Sequence, residues 1–405
     1  MLPVPEAIRR VERESPRLAA EEVSLRDARG RVLAADVVAD TDLPPFDRAL
    51  MDGYAVHAAD THDAPANLRV VGEAAAGRGW RGRVGAGEAV RIMTGAPLPT
   101  GADAVEQVEQ TRETEDGARV LVERACEPGQ FISRRATEVT RGETILRAGE
   151  RVTPAMLAAL ASFGYARVRV ARRPRVAVLA TGSELVRVEE TPGADSLRDS
   201  NTYSLIGYAE TAGADAEALP FAADDEGLLR ELIAEAADRS DALVLSGGVS
   251  MGVYDFTKSA LRALGAEIFF ERVSLRPGKP TVFARLKNAR GTLVFGLPGN
   301  PVSVSVTFNL FARTALLAMQ GATETRLAEH RAVLARDAKG SVERASYLPA
   351  TVSTDDAGRL LAEPLKWQGS SDFVAFTRAT ALVVVPEGAR RIEAGEVVTV
   401  LRLPE

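Results

Sequence analysis

A single cysteine, Cys126, stands in 405 residues, so no intrachain disulfide is available. Histidine is nearly as scarce, with His57, His62 and His330 scattered along the chain. That supply excludes a Cys/His structural zinc site and gives a Ser-His-Asp triad no support. An excess of basic charge is missing too. The formal net charge of −6 argues against a protein whose main work is to coat nucleic acid or an anionic membrane. The first ten residues hold no apolar core of signal-peptide length, and a reducing cytoplasm fits the cysteine count. A charge-free run over 291–312 is long enough to span a bilayer. It contains Pro298, Asn300, Pro301 and several serines, so it reads as a strand, a loop and a helix start.

What remains is an ordinary globular composition, 46% hydrophobic and 26% charged. The length suits about three domains. Residues 7–14 predict a short helix. Residues 46–135 are rich in glycine, with strand-like runs at 68–71 and 120–122. A helix is expected over 154–163, with Thr153 as N-cap, Pro154 in its first turn and Gly164 past its end. Over 173–322 strand and helix alternate. Strands are expected at 176–180, 242–245, 268–270 and 292–295. Helices are expected at 201–212, 225–239 and 255–264, the second with Leu228, Leu229, Leu232, Ile233 and Ala236 on one face. This alternation implies a doubly wound, mostly parallel α/β sheet. Residues 325–405 return to strands, at 347–352, 381–385 and 397–401.

One segment carries two signals. Val302, Val304, Val306, Phe308 and Leu310 alternate with polar residues, as in a strand. Asn300-Pro301 is nonetheless a good helix start, Gly321 a good stop, and some twenty residues exceed a normal strand. We take it as a helix.

Two motif matches fail on context. Gly77-Arg-Gly-Trp-Arg-Gly82 fits GxGxxG, but no helix follows to receive a pyrophosphate. Pro277-Gly-Lys279-Pro280 is no phosphate loop, because Val273 stands where glycine is needed and Pro280 where Ser or Thr is needed. Five arginines between Arg167 and Arg175 read mainly as solvated strand faces.

The remaining signals carry chemistry. In an open parallel sheet, ligands gather at the C-terminal strand ends. Three loops fall there: Thr181, Gly182, Ser183 and Glu184; Ser246, Gly247, Gly248, Ser250 and Gly252, leading to Asp255; and Pro298, Gly299, Asn300 and Pro301. Glycine lets backbone approach an anion and helix N-termini point N–H groups at it, so the loops suit a phosphate-bearing ligand. Tight turns alone would give the same residues. Arg276 and Lys279, on a turn stiffened by Pro277 and Pro280, suit an oxyanion; a solvated hairpin tip is the plain alternative. Glu184, Asp224 and Asp255 beside phosphate loops suggest Mg²⁺, against helix capping for Asp224. Asp52-Gly53 reads physically as no more than a turn.

Taken in order, six segments resemble the molybdopterin molybdenumtransferase family, MoeA in bacteria and the E-domain of gephyrin in animals. They are Phe46-Asp-Arg-Ala-Leu-Met-Asp-Gly-Tyr-Ala-Val56, Ile92-Met-Thr-Gly-Ala-Pro97, Ala180-Thr-Gly-Ser-Glu-Leu185, Ser246-Gly-Gly-Val-Ser-Met-Gly252, Arg276-Pro-Gly-Lys-Pro280 and Gly296-Leu-Pro-Gly-Asn-Pro-Val-Ser303. The resemblance implies a four-part multi-domain protomer. Residues 1–45 with 136–172 would form an elongated dimerisation part, and 46–135 an inserted β-rich module. Residues 173–322 would form the molybdopterin-binding α/β domain and 325–405 a C-terminal β-barrel. It further implies a homodimer with an inter-subunit active site, which Asp52 would reach from the neighbouring subunit.

The implied reaction takes adenylylated molybdopterin and molybdate to molybdenum cofactor and AMP, with Mg²⁺ as cofactor and an upstream adenylyltransferase as supplier. Asp52, Thr94, Glu184, Asp224 and Asp255 would be catalytic, and Glu184, Asp224 and Asp255 would hold the metal. Molybdate would sit near Arg276, Lys279, Pro280, Ser303, Arg344 and Ser370. Cys126 receives no role. Two departures stand out. Ala136 and Glu138 replace the Gly and Asp of the family's Arg-x-x-Gly-x-Asp loop, and Arg276 replaces a lysine. A scaffold that keeps the fold, or a pterin binder without turnover, is the competing reading. The acidic set Asp52, Glu184, Asp224 and Asp255 favours catalysis.

Overall fold

The computed structural model describes residues 1–221, 225–248 and 256–404. Two compact units emerge. One comprises Met1–Ala35, Ala148–Leu157 and Arg167–Glu405, and the other comprises Asp36–Arg147 and Ala158–Ala166.

The first unit is organised around a six-stranded sheet. In spatial order its strands are Asp215–Ala218, Arg175–Ala180, Ala242–Ser246, Leu293–Leu297, Val282–Arg285 and Glu267–Phe270. The first four run parallel, with Val176 opposite Ala242 and Val244 opposite Phe295. Val282–Arg285 is antiparallel to both neighbours. That strand escaped the sequence reading because it is only four residues long and follows directly on a Pro/Gly turn. Ala242–Ser246 and Leu293–Leu297 are buried at every position, as continuous apolar runs in a two-sided sheet must be.

The period-two pleat divides these runs between two cores. Val176, Val178, Val244 and Phe295 face Asn201–Thr211, the helix over Pro301–Met319 and the N-terminal helix Val4–Glu14. Ala177, Leu179, Leu243, Leu245 and Val294 face Glu226–Ala237 and Phe256–Ala263. Within Glu226–Ala237, Leu229, Ile233 and Ala236 are buried, whereas Leu228 turns outward at 43% exposure. The cap of this helix is Asp225, whose carboxylate accepts the Leu228 N–H at 2.7 Å. Asp224, for which helix capping was the alternative, lies outside the described residues.

Pro301–Met319 is helical throughout, with a π turn over Phe308–Ala312. Its strand-like alternation misleads because the helix is buried on all faces, so polar positions need not point to water. The polar side chains bond back along the helix instead. Ser305 donates to Pro301 O at 3.0 Å, Thr307 to Ser303 O at 2.7 Å and Asn309 to Ser305 O at 2.9 Å. By length and composition this helix alone among the described residues passes as a membrane span, and 89% of its apolar eighteen-residue stretch is buried inside the protein.

A second six-stranded sheet of the same unit closes on itself. Its order is Leu275–Arg276, Ala345–Thr354, Leu360–Pro364, Glu329–Leu334, Val397–Arg402 and Ala381–Val385, with Ala345–Thr354 also paired to Ala381–Val385. Leu334, Leu348, Ala350, Val383, Val385 and Val400 fill its interior. Arg276 ends a strand of this barrel, opposite Ser346, and is not a free hairpin tip.

The arginine cluster divides. Arg167, Arg169 and Arg175 are exposed, but Arg172 is half-buried and lays both Nη atoms on buried Asp241 at 2.8 and 2.9 Å. Fewer of these residues are solvated than expected, because Asp241 at the head of a central strand needs a counter-charge.

The second unit carries a sheet ordered Ala104–Gln107, Gly53–Val56, Glu88–Ile92, Ala66–Ala74, Arg119–Val122 and Thr111–Glu113. Asp52-Gly53 is not a hairpin turn. Gly53 opens a strand so close to Glu106 that a Cβ would lie 1.8 Å from its carbonyl oxygen. The GxGxxG match is a loop, and its Gly82, with Gly72 of the neighbouring strand, makes room for the Trp80 ring.

Candidate functional site

Three adjacent parallel strands end in the three loops expected to matter, and backbone hydrogen bonds join them. Thr181 N–H donates to Ser246 O at 2.8 Å, and Gly247 N–H donates to Leu297 O at 3.1 Å. Gly247 has φ +94, and a Cβ there would lie 2.4 Å from Thr181 O. Its glycine is thus required by loop-on-loop packing, before any ligand is considered. The Asn201 side chain completes the junction, donating from Nδ2 to Ser246 Oγ at 2.8 Å and to Gly299 O at 2.7 Å.

These loops wall a cleft of about 680 Å³ lined by Thr181, Glu184, Ser246, Gly299, Asn300 and Pro301, among others. Asn201, Asp199 and Arg198 share the lining and were not anticipated. The only signal was the position of Asn201 at a helix start, which reads as capping; yet the turn before it carries no side-chain cap. Asn201 Oδ1 is buried and finds no hydrogen-bond partner among the described residues. Gly182 and Ser183 follow Thr181 in the same loop, with Ser183 exposed, and Gly248 sits against Thr257. Ser250, Gly252, Asp224 and Asp255 lie outside the described residues.

A second cavity, of about 940 Å³, opens beside the barrel. Arg276, Lys279, Pro280, Ser303, Arg344 and Ser370 all line it, although they span nearly a hundred residues of sequence. Lys339, Lys366 and Trp367 also line it and were missed, because isolated lysines on strand and loop positions carry no pattern. Five cations thus face one acidic group, Asp337, which already pairs with Arg391. Arg276 Nη1 donates to Gly340 O at 3.1 Å and Arg344 Nη1 to Leu275 O at 3.3 Å, so both guanidiniums are positioned by backbone and, among the described residues, form no ion pair. Pro298 belongs to this cavity and not to the cleft.

Asn300 lines both spaces. Although it precedes a helix, its side chain caps nothing; Nδ2 donates to Ser370 Oγ at 2.8 Å. The Val302 N–H is taken by Ser370 O at 3.0 Å, so part of that helix N-terminus is already satisfied by protein.

In the second unit, Asp52 and Thr94 meet. Asp52 Oδ1 accepts the Thr94 N–H at 2.6 Å and its hydroxyl at 2.8 Å. The N–H first, and then the hydroxyl, hold the Asp52 carboxyl below the ordinary range.

Family models match almost the whole chain. They are the MoeA N-terminal region, domains I and II, at residues 2–164; a probable molybdopterin binding domain at 177–318; and the MoeA C-terminal region, domain IV, at 331–403. The chain is 36% identical to the molybdopterin molybdenumtransferase of Bacillus subtilis (strain 168), covering all of this chain and 94% of the relative. It is 34% identical to that of Staphylococcus aureus (strain MRSA252), covering 99% and 95%. The crystal structure of a molybdopterin biosynthesis MoeA protein from Pyrococcus horikoshii OT3 superposes with TM-score 0.85 at 30% identity over all of both chains. The chain belongs to the molybdopterin molybdenumtransferase family.

Of the two departures from the molybdenumtransferase pattern, Arg276 ends a strand of the barrel in the first unit, and the Ala136/Glu138 loop lies in the second unit. Ala136 adopts φ +63, a left-handed conformation that disfavours a Cβ, at the position where the family resemblance leads one to expect glycine. Glu138 is engaged by Arg48 at 3.0 Å, while Arg134 binds Asp47 and Arg135 binds Asp42. Cys126 is buried, and desolvation pushes its thiol up to about 12, so it is no nucleophile at neutral pH. Among the described residues no group of three or more His, Cys, Asp or Glu is placed to hold a metal ion.

Proposed function

We propose that this chain inserts molybdenum into molybdopterin, converting adenylylated molybdopterin and molybdate into molybdenum cofactor and AMP. The observation that carries the reading is the cationic cavity. Arg276, Lys279, Ser303, Arg344 and Ser370 line one space, beside a cleft of strand-end loops. A tetrahedral dianion is best held by several charge-assisted donors, and these residues supply them. The neighbouring cleft would hold the phosphates of the pterin substrate, with Thr181 and Ser246 presenting hydroxyls and Glu184 a carboxylate.

The oxygen-only donors of that cleft suit a hard cation, so Glu184, with Asp224 and Asp255, would hold Mg²⁺. When bound, the ion would neutralise charge on the departing adenylate. In this reading the dithiolene thiols, with two protons from solvent, displace two molybdate oxygens as water, and a water molecule cleaves the phosphoanhydride to release AMP without a protein nucleophile. The chain works as a homodimer, and Asp52, kept charged by Thr94, completes the site from the second subunit. An upstream adenylyltransferase supplies the substrate.

The test is AMP release from purified protein given adenylylated molybdopterin and Mg²⁺, with molybdate, tungstate or neither. We expect release that depends on molybdate and is lost in Asp52→Asn and Asp255→Asn. A preference for tungstate would give Arg276 a selective role. Tight substrate binding with no release under any oxyanion would overturn the reading in favour of a non-catalytic binder.

A further inference from the structure

A third cleft, of about 440 Å³, lies in the first unit away from both spaces described above. Arg151, Arg313 and Arg326 line it, with Glu150, Glu324 and Thr323. Two chain segments are tied together at its floor, where Thr323 N–H and Oγ donate to Gly149 O at 3.0 and 3.3 Å.

The three arginines differ in what they meet. Arg326 is neutralised, with Nε and Nη2 forked onto Glu12 at 2.9 and 2.7 Å. Arg313 donates from Nη1 to Thr325 O at 3.0 Å. Arg151 donates to Gly30 O at 3.0 Å and to Thr211 O at 2.9 Å. These partners are neutral carbonyls, and among the described residues neither guanidinium forms an ion pair, with Glu150 and Glu324 included. Burial first, and then the like charge of Arg151, hold the Arg313 guanidinium below its ordinary range. Arg313 also follows directly on the π turn over Phe308–Ala312, a helix irregularity that is frequent at functional positions.

Arg313 is half-buried and Arg151 exposed, and because neither is ion-paired among the described residues, both guanidiniums stay available to an anion despite the carboxylates on the same cleft. Each still has N–H donors beyond those its backbone partners use. We propose that this cleft binds a tetrahedral oxyanion of the phosphate class, free or as a monoester, between Arg151 and Arg313. The recessed position of Arg313 favours a small anion over the carboxylate of another protein chain.

The experiment is calorimetric titration of the full chain with inorganic phosphate, and separately with AMP, at constant ionic strength. It is run in an Arg276→Ala/Lys279→Ala background so that the cationic cavity does not contribute. A phosphate site that depends on Arg151 and Arg313 should remain in that background, beside any binding in the strand-end cleft, which those two residues do not line. Adding Arg151→Met or Arg313→Met should weaken it by about tenfold or more, the scale of losing a charge-assisted donor. Arg313→Lys, which keeps the charge, guards against a folding defect and should retain part of the binding. AMP binding tighter than phosphate and weakened by Arg151→Met or Arg313→Met would assign the site to a monoester, and equal binding with the same dependence to the free anion. No remaining site in the background, or only binding indifferent to Arg151→Met and Arg313→Met, would overturn the proposal. So would a change of oligomeric state in those variants, by sedimentation, without any change in phosphate binding.

Discussion

The cleft at the strand ends and the cavity beside the barrel share Asn300 and differ in almost everything else. The cleft is assembled by neighbours. Its loops leave adjacent parallel strands, and Thr181, Ser246, Gly247 and Leu297 are already joined by backbone hydrogen bonds. The cavity is assembled from distant elements. Arg276 is placed by a barrel strand, Ser303 by a core helix, and Arg344 and Ser370 by loops of the C-terminal sheet. The first therefore has polar walls that hold their shape without ligand, and the second concentrates charge that protein groups leave uncancelled. Changes in the cavity should therefore cost oxyanion handling at little cost in stability, and changes in the cleft junction should do the reverse.

The largest expected effect is in the cavity. Arg276→Ala/Lys279→Ala removes two cations from a space with five. At about 1.5–3 kcal/mol per charged hydrogen bond, oxyanion-dependent turnover should fall by about 100-fold or more. The melting temperature should hardly move. Equal activity at saturating and limiting molybdate would break the contrast.

Next is Asn201→Ala, which deletes both bonds that tie Ser246 and Gly299 together. At about 1 kcal/mol per bond it should lower stability by about 2 kcal/mol in denaturant unfolding. Oxyanion affinity should stay within about twofold. A collapse of molybdate affinity with unchanged stability would show that the two spaces are not separable.

The second unit offers a smaller control outside both spaces. Ala136→Gly relieves a left-handed residue at φ +63. The gain is offset by the greater chain entropy of glycine, leaving a stabilisation of up to about 1 kcal/mol. Thermal melts measure it, and a loss of stability would mean that the Ala136 methyl makes a contact worth more than the strain.

The smallest effect concerns pH. The folded Asp52 carboxyl lies below its unfolded value, so its bond to Thr94 contributes stability above the unfolded pKa of about 3.9. That contribution disappears as pH falls through the folded value. Melts of Asp52→Asn and the parent chain should therefore differ at neutral pH and converge in acid. A constant difference across that window would remove Thr94 from the account.

Legibility in the sequence followed the range of the interactions. Continuous apolar runs announced Ala242–Ser246 and Leu293–Leu297, and Gly213, Gly265 and Gly321 marked helix ends, because these signals act over a few residues. The short Val282–Arg285 strand did not announce itself, since only its neighbours make it a strand. Asn201, Lys339 and Lys366 stayed hidden for a related reason. Each reads as an ordinary helix-start or surface residue until a distant loop arrives beside it.

From the chain alone came the alternation of strand and helix, the three loops at strand ends, the cation pair Arg276 and Lys279, and the pattern of a known family. Those features depend on local propensity, period and spacing. Tertiary structure alone decided that Pro301–Met319 is buried on every face, that Arg172 answers Asp241 and that Asn300 stands between the two spaces. It also left Arg151 and Arg313 without an ion pair among the described residues. Burial and charge balance are sums over everything nearby in space, and no window of sequence contains them.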